Sequence, residues 1–286
     1  MITLTSIQMN TWIAALLWPL SRILGLIAAA PLFGNTSVPV SIKVSLGVLL
    51  TIIIAPTIPA MPSADPASWA GLLIVAQEMV VGLAMGFAMR LFFGAIEFAG
   101  EVISLTMGLG FATFFDPNSA GRSSAISQFL ALVATMAFLA VNAHLALLSA
   151  LAESFVSLPV GASPISSSLP LTLAGFGARV FSAGMQISMP IVAALLITNI
   201  AMGILTRAAP QLNLFGIGFP ITLGVGFLTI SLALPYLGTP IVNLFNEGIE
   251  AGRSLPRAAV KPAKAPAQAS PPAPLTLRTT PLTTKP

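Results

Sequence analysis

Long apolar runs, separated by short polar or proline-bearing turns, divide the chain. Residues 12–33, 44–58, 69–115, about 119–155, 171–206 and 214–245 read as apolar helical segments. The first is long enough to cross ~30 Å of hydrocarbon at 1.5 Å per residue. The others are less regular. Residues 44–58 are short and end in Pro56 and Pro59, and residues 69–115 far exceed one span. Residues 171–206 contain Pro190, where a kink is expected, and 214–245 is interrupted by Gly216, Gly218, Gly224 and Gly226, with Pro220 and Pro235. Ser68 is placed to cap the third helix, and Asn118 or Ser119 to start the fourth, which should run to about Phe155. The pattern predicts an all-α integral membrane protein with six hydrophobic helical segments, or seven if residues 97–115 form their own. Several are broken or of non-standard length, as helices packed inside a protein assembly are free to be.

Composition agrees with the pattern. Of 286 residues, 56% are hydrophobic and 7% charged, where soluble domains carry about 25% charged residues. The chain has no cysteine, which excludes disulfides, thiolate nucleophiles and cysteine-bound metals. Its net charge of +4 is unevenly spread: residues 1–250 hold six basic and eight acidic side chains, residues 251–286 six basic and none acidic. Residues 1–250 therefore read as the helical membrane domain. Residues 251–286, rich in Pro, Ala and Thr and lacking aromatics, read as a disordered basic tail on the cytoplasmic side. The basicity belongs to the tail and gives no nucleic-acid signal. Residues 28–31 look like a small-residue cleavage site, but the N-terminus has no basic region and Arg22 interrupts the run, so a mature membrane segment is expected.

Charges inside apolar segments are few and need partners or water. Arg22 lies near the centre of the first segment. Arg90, Glu97 and Glu101 recur at helical spacing and form a polar stripe on one face of the third. With Glu78, these residues make a candidate intramembrane charge network. It reads as ion pairs tying helices together, with an ion or proton path as the alternative. Gly82 and Gly86 on the same helix form a small-xxx-small pattern that permits close helix approach.

The stripe leads into MGLGFATFFDP, residues 107–117. If this stretch is helical, Met107, Phe111, Phe114 and Phe115 share one face. Gly108 and Gly110 weaken such a helix by roughly 1 kcal/mol each, and Pro117 stops it by pushing Asp116 out of the helical region. From the residues alone, packing and gating are equally good readings. Met79, Met85, Met89 and Met107 fit core filling or a deformable seal.

Catalytic chemistry is missing from the pattern. His144 is the single histidine and reads as a helix residue bonded to a neighbouring carbonyl. There is no HExxH and no GxxxxGK[ST], and Pro164 spoils the one approximation to a membrane serine-protease motif, at residues 161–164. The eight carboxylates form no paired-acid site, so no enzyme and no cofactor are expected.

Several runs together resemble the FliR family of flagellar and type III secretion export-apparatus membrane proteins. They are RILGL (22–26) with APLFG (30–34), QEMVVGLAMGFAMR (77–90), MGLGFATFFDP (107–117), AESF (152–155), NIAMGILTRAAPQLN (199–213) and IGFPI (217–221). The likeness covers residues 10–245 and not the tail. It departs at VNAH (141–144), where the family often has an acidic residue, glycine and histidine.

The resemblance implies an inner-membrane protein of the flagellar basal body. Such a protein joins FliP-like and FliQ-like subunits in an export gate, with FlhB-like and FlhA-like components alongside. Unfolded secreted proteins would pass through it. By matching position, Met107, Gly108, Gly110, Phe111, Phe114, Phe115, Asp116 and Pro117 would form a pore plug meeting a methionine-rich ring from neighbours. Alternatives are a scaffold subunit of an injectisome and a small-solute secondary transporter, although the two halves of the chain show no convincing internal repeat.

Overall fold

The computed structural model describes residues 6–59, 61–62, 64–111, 124–161, 168–209 and 214–259. Among the described residues, seven α-helices follow in order: α1 (Ser6–Ala29), α2 (Val40–Ile54), α3 (Trp69–Thr106), α4 (Ala125–Ala140), α5 (Ala143–Ser157), α6 (Ser168–Ala208) and α7 (Phe219–Ala259). Short 3₁₀ turns cover Ala55–Thr57 and Leu109–Phe111, and a π-helical turn at Leu214–Gly218 leads into α7. Five helices are long and apolar enough to cross a membrane among the described residues, and α4 with α5 forms a sixth candidate, bent by 67°. The architecture is the all-α, multi-pass one that the apolar runs predict.

The third helix is the post against which α1, α4, α6 and α7 pack, while α2 lies on α1 and α5 on α7. At 38 residues it is about 57 Å long. Ser68 starts it as expected, its Oγ accepting the Gly71 N–H at 3.1 Å and donating to the Asp65 carbonyl at 2.6 Å. α1 runs alongside its first half with the backbones in contact. A Cβ on Gly25 would stand 2.5 Å from the Met79 carbonyl oxygen, and one on Gly82 would overlap the Arg22 carbonyl. The small-residue pattern at Gly82 and Gly86 is thus the seat of α1.

Along its second half, α3 buries Phe93 against Phe138 of α4 and Phe245 of α7. The three rings lie 5.2–5.3 Å apart in stacked and edge-on pairs. Such aromatic contacts contribute ~0.5–1.5 kcal/mol each beyond the area they bury. α6 and α7 form an antiparallel hairpin, fastened by a two-point ion pair in which Arg179 donates through Nε and Nη2 to Glu247, both at 2.8 Å.

Three expectations change. The fourth apolar run is two helices, not one, because Asn142 takes the left-handed conformation (φ 56°) that Asn tolerates better than most residues. That run begins at Ala125 rather than near residue 119, with Ser124 as its cap; Asn118 and Ser119 lie outside the described residues. The last helix continues past residue 250 to Ala259, and Leu255 is buried, so the boundary drawn from composition falls inside a packed helix. Residues 260–286, the remainder of the basic tail, lie outside the described residues.

Candidate functional site: the end of the third helix

The third helix ends one residue before the stretch that the sequence singles out. Met107 caps it, its N–H donating to the Ile103 carbonyl at 2.9 Å, and Gly108 then turns left-handed with φ 83°. The condition that residues 107–115 form one helix is therefore not met over residues 107–111, and residues 112–115 lie outside the described residues. The chain leaves the helix axis at Gly108 because glycine has no Cβ to oppose that turn, and a 3₁₀ turn over Leu109–Phe111 follows. Met107 itself is fully buried. Its side chain reaches α7, where a Cβ on Gly226 would lie 2.5 Å from the methionine Cε. Met107 is thus an anchor in the chain's own core. Gly110 is half-buried near Leu105. Phe114, Phe115, Asp116 and Pro117 lie outside the described residues.

The returning strand of chain is tied to the same end of α3. Glu101 Oε2 accepts the backbone N–H of Ser124 at 3.2 Å, and Ser127 Oγ donates to the Glu97 carbonyl at 2.9 Å. Gly100 lets the two backbones meet, since a Cβ there would stand 2.5 Å from the Ser127 Cα. Both feet of the segment between Met107 and Ser124 are therefore rooted on the last turns of one helix. Replacing Gly108 by Ala is expected to cost ~1–2 kcal/mol, the strain of a left-handed L-residue. The check is the thermal midpoint of the purified chain, with Gly175→Ala, in open space within α6, as the control that should not fall.

The five candidate charges separate into a buried pair, two exposed side chains and one tie to the returning chain. Arg22 and Glu78 are together and fully buried, with Arg22 Nε 2.6 Å from Glu78 Oε2. The guanidinium also donates through Nη1 to Ser154 Oγ at 3.1 Å and through Nη2 to the Leu158 carbonyl at 3.0 Å. It lies over the Phe155 ring, 4.3 Å from its centre. Every guanidinium nitrogen is thus used to join α1, α3 and the end of α5. Arg90 and Glu97 are exposed on α3, and no ion pair joins them to each other or to the buried pair among the described residues. Glu101 acts as the tie to Ser124.

Sequence reasoning missed the partners Ser154 and Leu158, and also the ion pair of Arg253 with Glu153 at 3.2 Å that joins α7 to α5. Nothing in the local sequence marks them, because each contact crosses about a hundred residues of chain or more. His144 differs from its reading too. It is the second residue of α5, and its Nδ1 has no hydrogen-bond partner among the described residues.

The family model described as bacterial export proteins, family 1, matches residues 13–248, most of the chain. The chain belongs to the FliR family of flagellar export-apparatus membrane proteins. It is 42% identical over 247 residues to the flagellar biosynthetic protein FliR of Pectobacterium carotovorum subsp. carotovorum, covering 86% of this chain and 94% of that protein. With the protein of the same name from Escherichia coli (strain K12), identity is 38% over 247 residues, with the same coverage. With that of Bacillus subtilis (strain 168) it is 31% over 238 residues. The matched region includes the buried Arg22–Glu78 pair, the whole of α3 and the rooted segment after it. Family membership places the protein in the bacterial inner membrane, at the flagellar basal body and within its export apparatus.

Proposed function

We propose that this chain is the subunit of the flagellar type III export gate that closes the pore with its own segment after α3. In this reading it packs with FliP-like and FliQ-like subunits, with FlhB-like and FlhA-like components alongside, and unfolded export substrates pass between them. Met107 holds the root of the plug, Gly108 and Gly110 set its direction, and Phe111, Phe114 and Phe115, ahead of Asp116 and Pro117, supply the apolar seal. A hydrophobic constriction excludes ions by dewetting, while an unfolded chain can push past flexible side chains.

One observation supports the reading above the others. The segment leaves α3 by a left-handed glycine next to a buried methionine and returns to a serine bonded to Glu101, so both feet are held at one place. A closure element needs such fixed roots, because a seal that moved bodily with its support could not open alone. The exposed apolar faces of α6 and α7, including Phe181, Ile197, Phe227 and Leu232, suit burial against neighbouring helices as well as lipid.

Deleting residues 110–115 tests the proposal in cells that carry the whole apparatus. The expected result is an ion leak with the gate still assembled, read from membrane conductance and from co-purification of the partner subunits. Normal sealing, or loss of assembly, would leave only a scaffold role. Loss of uptake of a small solute with protein secretion untouched would favour a transporter.

A further inference from the structure

α7 meets α3 through two methionines, each lying over a glycine. A Cβ on Gly226 would stand 2.5 Å from Met107 Cε, 2.8 Å from its Cγ and 2.9 Å from its Sδ. One on Gly248 would stand 2.8 Å from Met89 Sδ and 3.2 Å from Phe92 Cδ2. Both methionines have no exposure, and both glycines are buried. A Cβ on Gly224, Gly238 or Gly252 of the same helix meets nothing within 4 Å. Gly226 and Gly248 are therefore sockets, each filled by a methionine of α3.

The two sockets act on different parts of α3. Met89 lies inside the helix, where the hydrogen-bond ladder on both sides fixes its backbone. Met107 is the cap, about 27 Å further along the axis, and the chain turns left-handed at the next residue. Past Met107 the ladder gives no support, so the point of departure depends on what holds that side chain. Three consecutive side-chain atoms, Cγ, Sδ and Cε, lie across Gly226. A terminal methyl alone would swing aside easily. A side chain obstructed from Cγ outward yields only by changing χ1 or moving its backbone, and the close-packed surroundings of Met107 leave no spare room for the former.

We propose that Gly226 is the positioning residue of the closing segment. Lacking a side chain, it seats Met107, and through Met107 it fixes where and in which direction the segment leaves α3. The inference rests on the plug reading above and adds a cause to it: the closed position is set from α7. A shift of α7 along α3 would thus carry the root of the segment with it. Gly248 supplies the matching reference. Alanine at either glycine presses a methyl onto a buried methionine and improves α7 as a helix, yet only Gly226 lies at the root.

The test uses cells that carry the whole export apparatus. Membrane conductance, co-purification of the accompanying subunits and the thermal midpoint of the purified complex are read for each variant. Gly226→Ala is expected to raise conductance roughly tenfold with assembly retained, as overpacking strain in the closed position is released on opening. Adding Met107→Ala removes all three obstructing atoms and should reverse most of that leak. Gly248→Ala should melt as low as Gly226→Ala but seal like the parent, and Gly224→Ala should change neither reading. The chain has no cysteine, so Met107→Cys with Gly226→Cys gives a second measurement: the pair should form a disulfide in the resting apparatus. Equal leaks from Gly226→Ala and Gly248→Ala, a sealed or unassembled Gly226→Ala apparatus, no rescue by Met107→Ala, or no disulfide would each overturn the proposal. Deleting residues 110–115 separates the two readings. If the deletion leaks and Gly226→Ala seals, the plug stands without this seat; if the deletion seals as well, the plug itself fails.

Discussion

Replacing Glu78 by Ala is expected to lower the stability of the folded chain by ~3–5 kcal/mol, the cost of leaving one member of a buried ion pair alone. Whole domains are stable by only ~5–15 kcal/mol, so little folded protein should be recovered. The cause is the position of Arg22, which has no exposure and whose guanidinium is held by Glu78, Ser154 and the Leu158 carbonyl. Without the carboxylate, a cation remains inside three packed helices with no counter-charge. Arg22→Lys should also be damaging, because a single ammonium cannot reproduce the planar fork that reaches three acceptors. The double variant Arg22→Met with Glu78→Leu should recover most of the loss, since it removes both desolvated charges at similar volume. Thermal midpoints of the purified chain in detergent decide the matter. A Glu78→Ala variant melting with the parent would show that the pair contributes nothing.

The second large effect is expected at Gly82. A side chain there meets the Arg22 carbonyl and the Leu26 amide nitrogen, so both obstacles are backbone and no rotamer change can clear them. Overpacking ordinarily costs ~1–3 kcal/mol, and Gly82→Leu should reach or exceed the top of that range by prying α1 from α3. Because Arg22 sits on α1 at this contact, the same separation stretches its bond to Glu78. Gly94→Ala on the same helix provides the contrast. Nothing lies within 4 Å of a Cβ there, and alanine is the better helix former by ~1 kcal/mol. Equal melting of the Gly82→Leu variant and the parent would refute the close-approach account.

Much of this organisation is legible in the chain. Hydropathy and scarce charge require an all-helical membrane protein, and the Gly82/Gly86 spacing marks a helix contact before any partner is known. Ser68 declares a helix start through its short polar side chain. The helix ends are less readable. Asn142 breaks α4 from α5 although its neighbours are apolar and helix-compatible, so only its left-handed backbone distinguishes the place. Composition puts the end of the membrane domain at residue 250, yet Leu255 is buried in the continuing helix. Proline and basic residues there suggest a tail because composition cannot register what the helix packs against.

The candidate site divides in the same way. The sequence by itself determines that Met107 is followed by helix-weakening glycines, and that Arg22, Glu78, Arg90, Glu97 and Glu101 are charges in apolar surroundings that need partners or water. It cannot pair them, because helical periodicity orders residues on one face of one helix and is silent about which faces meet. The tertiary structure decides that Arg22 and Glu78 satisfy each other across α1 and α3, that Glu101 ties down Ser124, and that Arg90 and Glu97 stand open beside a cleft. It decides as well that Met107 lies in the core against α7. The physical reason is common to all of these. Burial and charge compensation are properties of contacts between segments distant in the chain, and they exist only once the helices have packed.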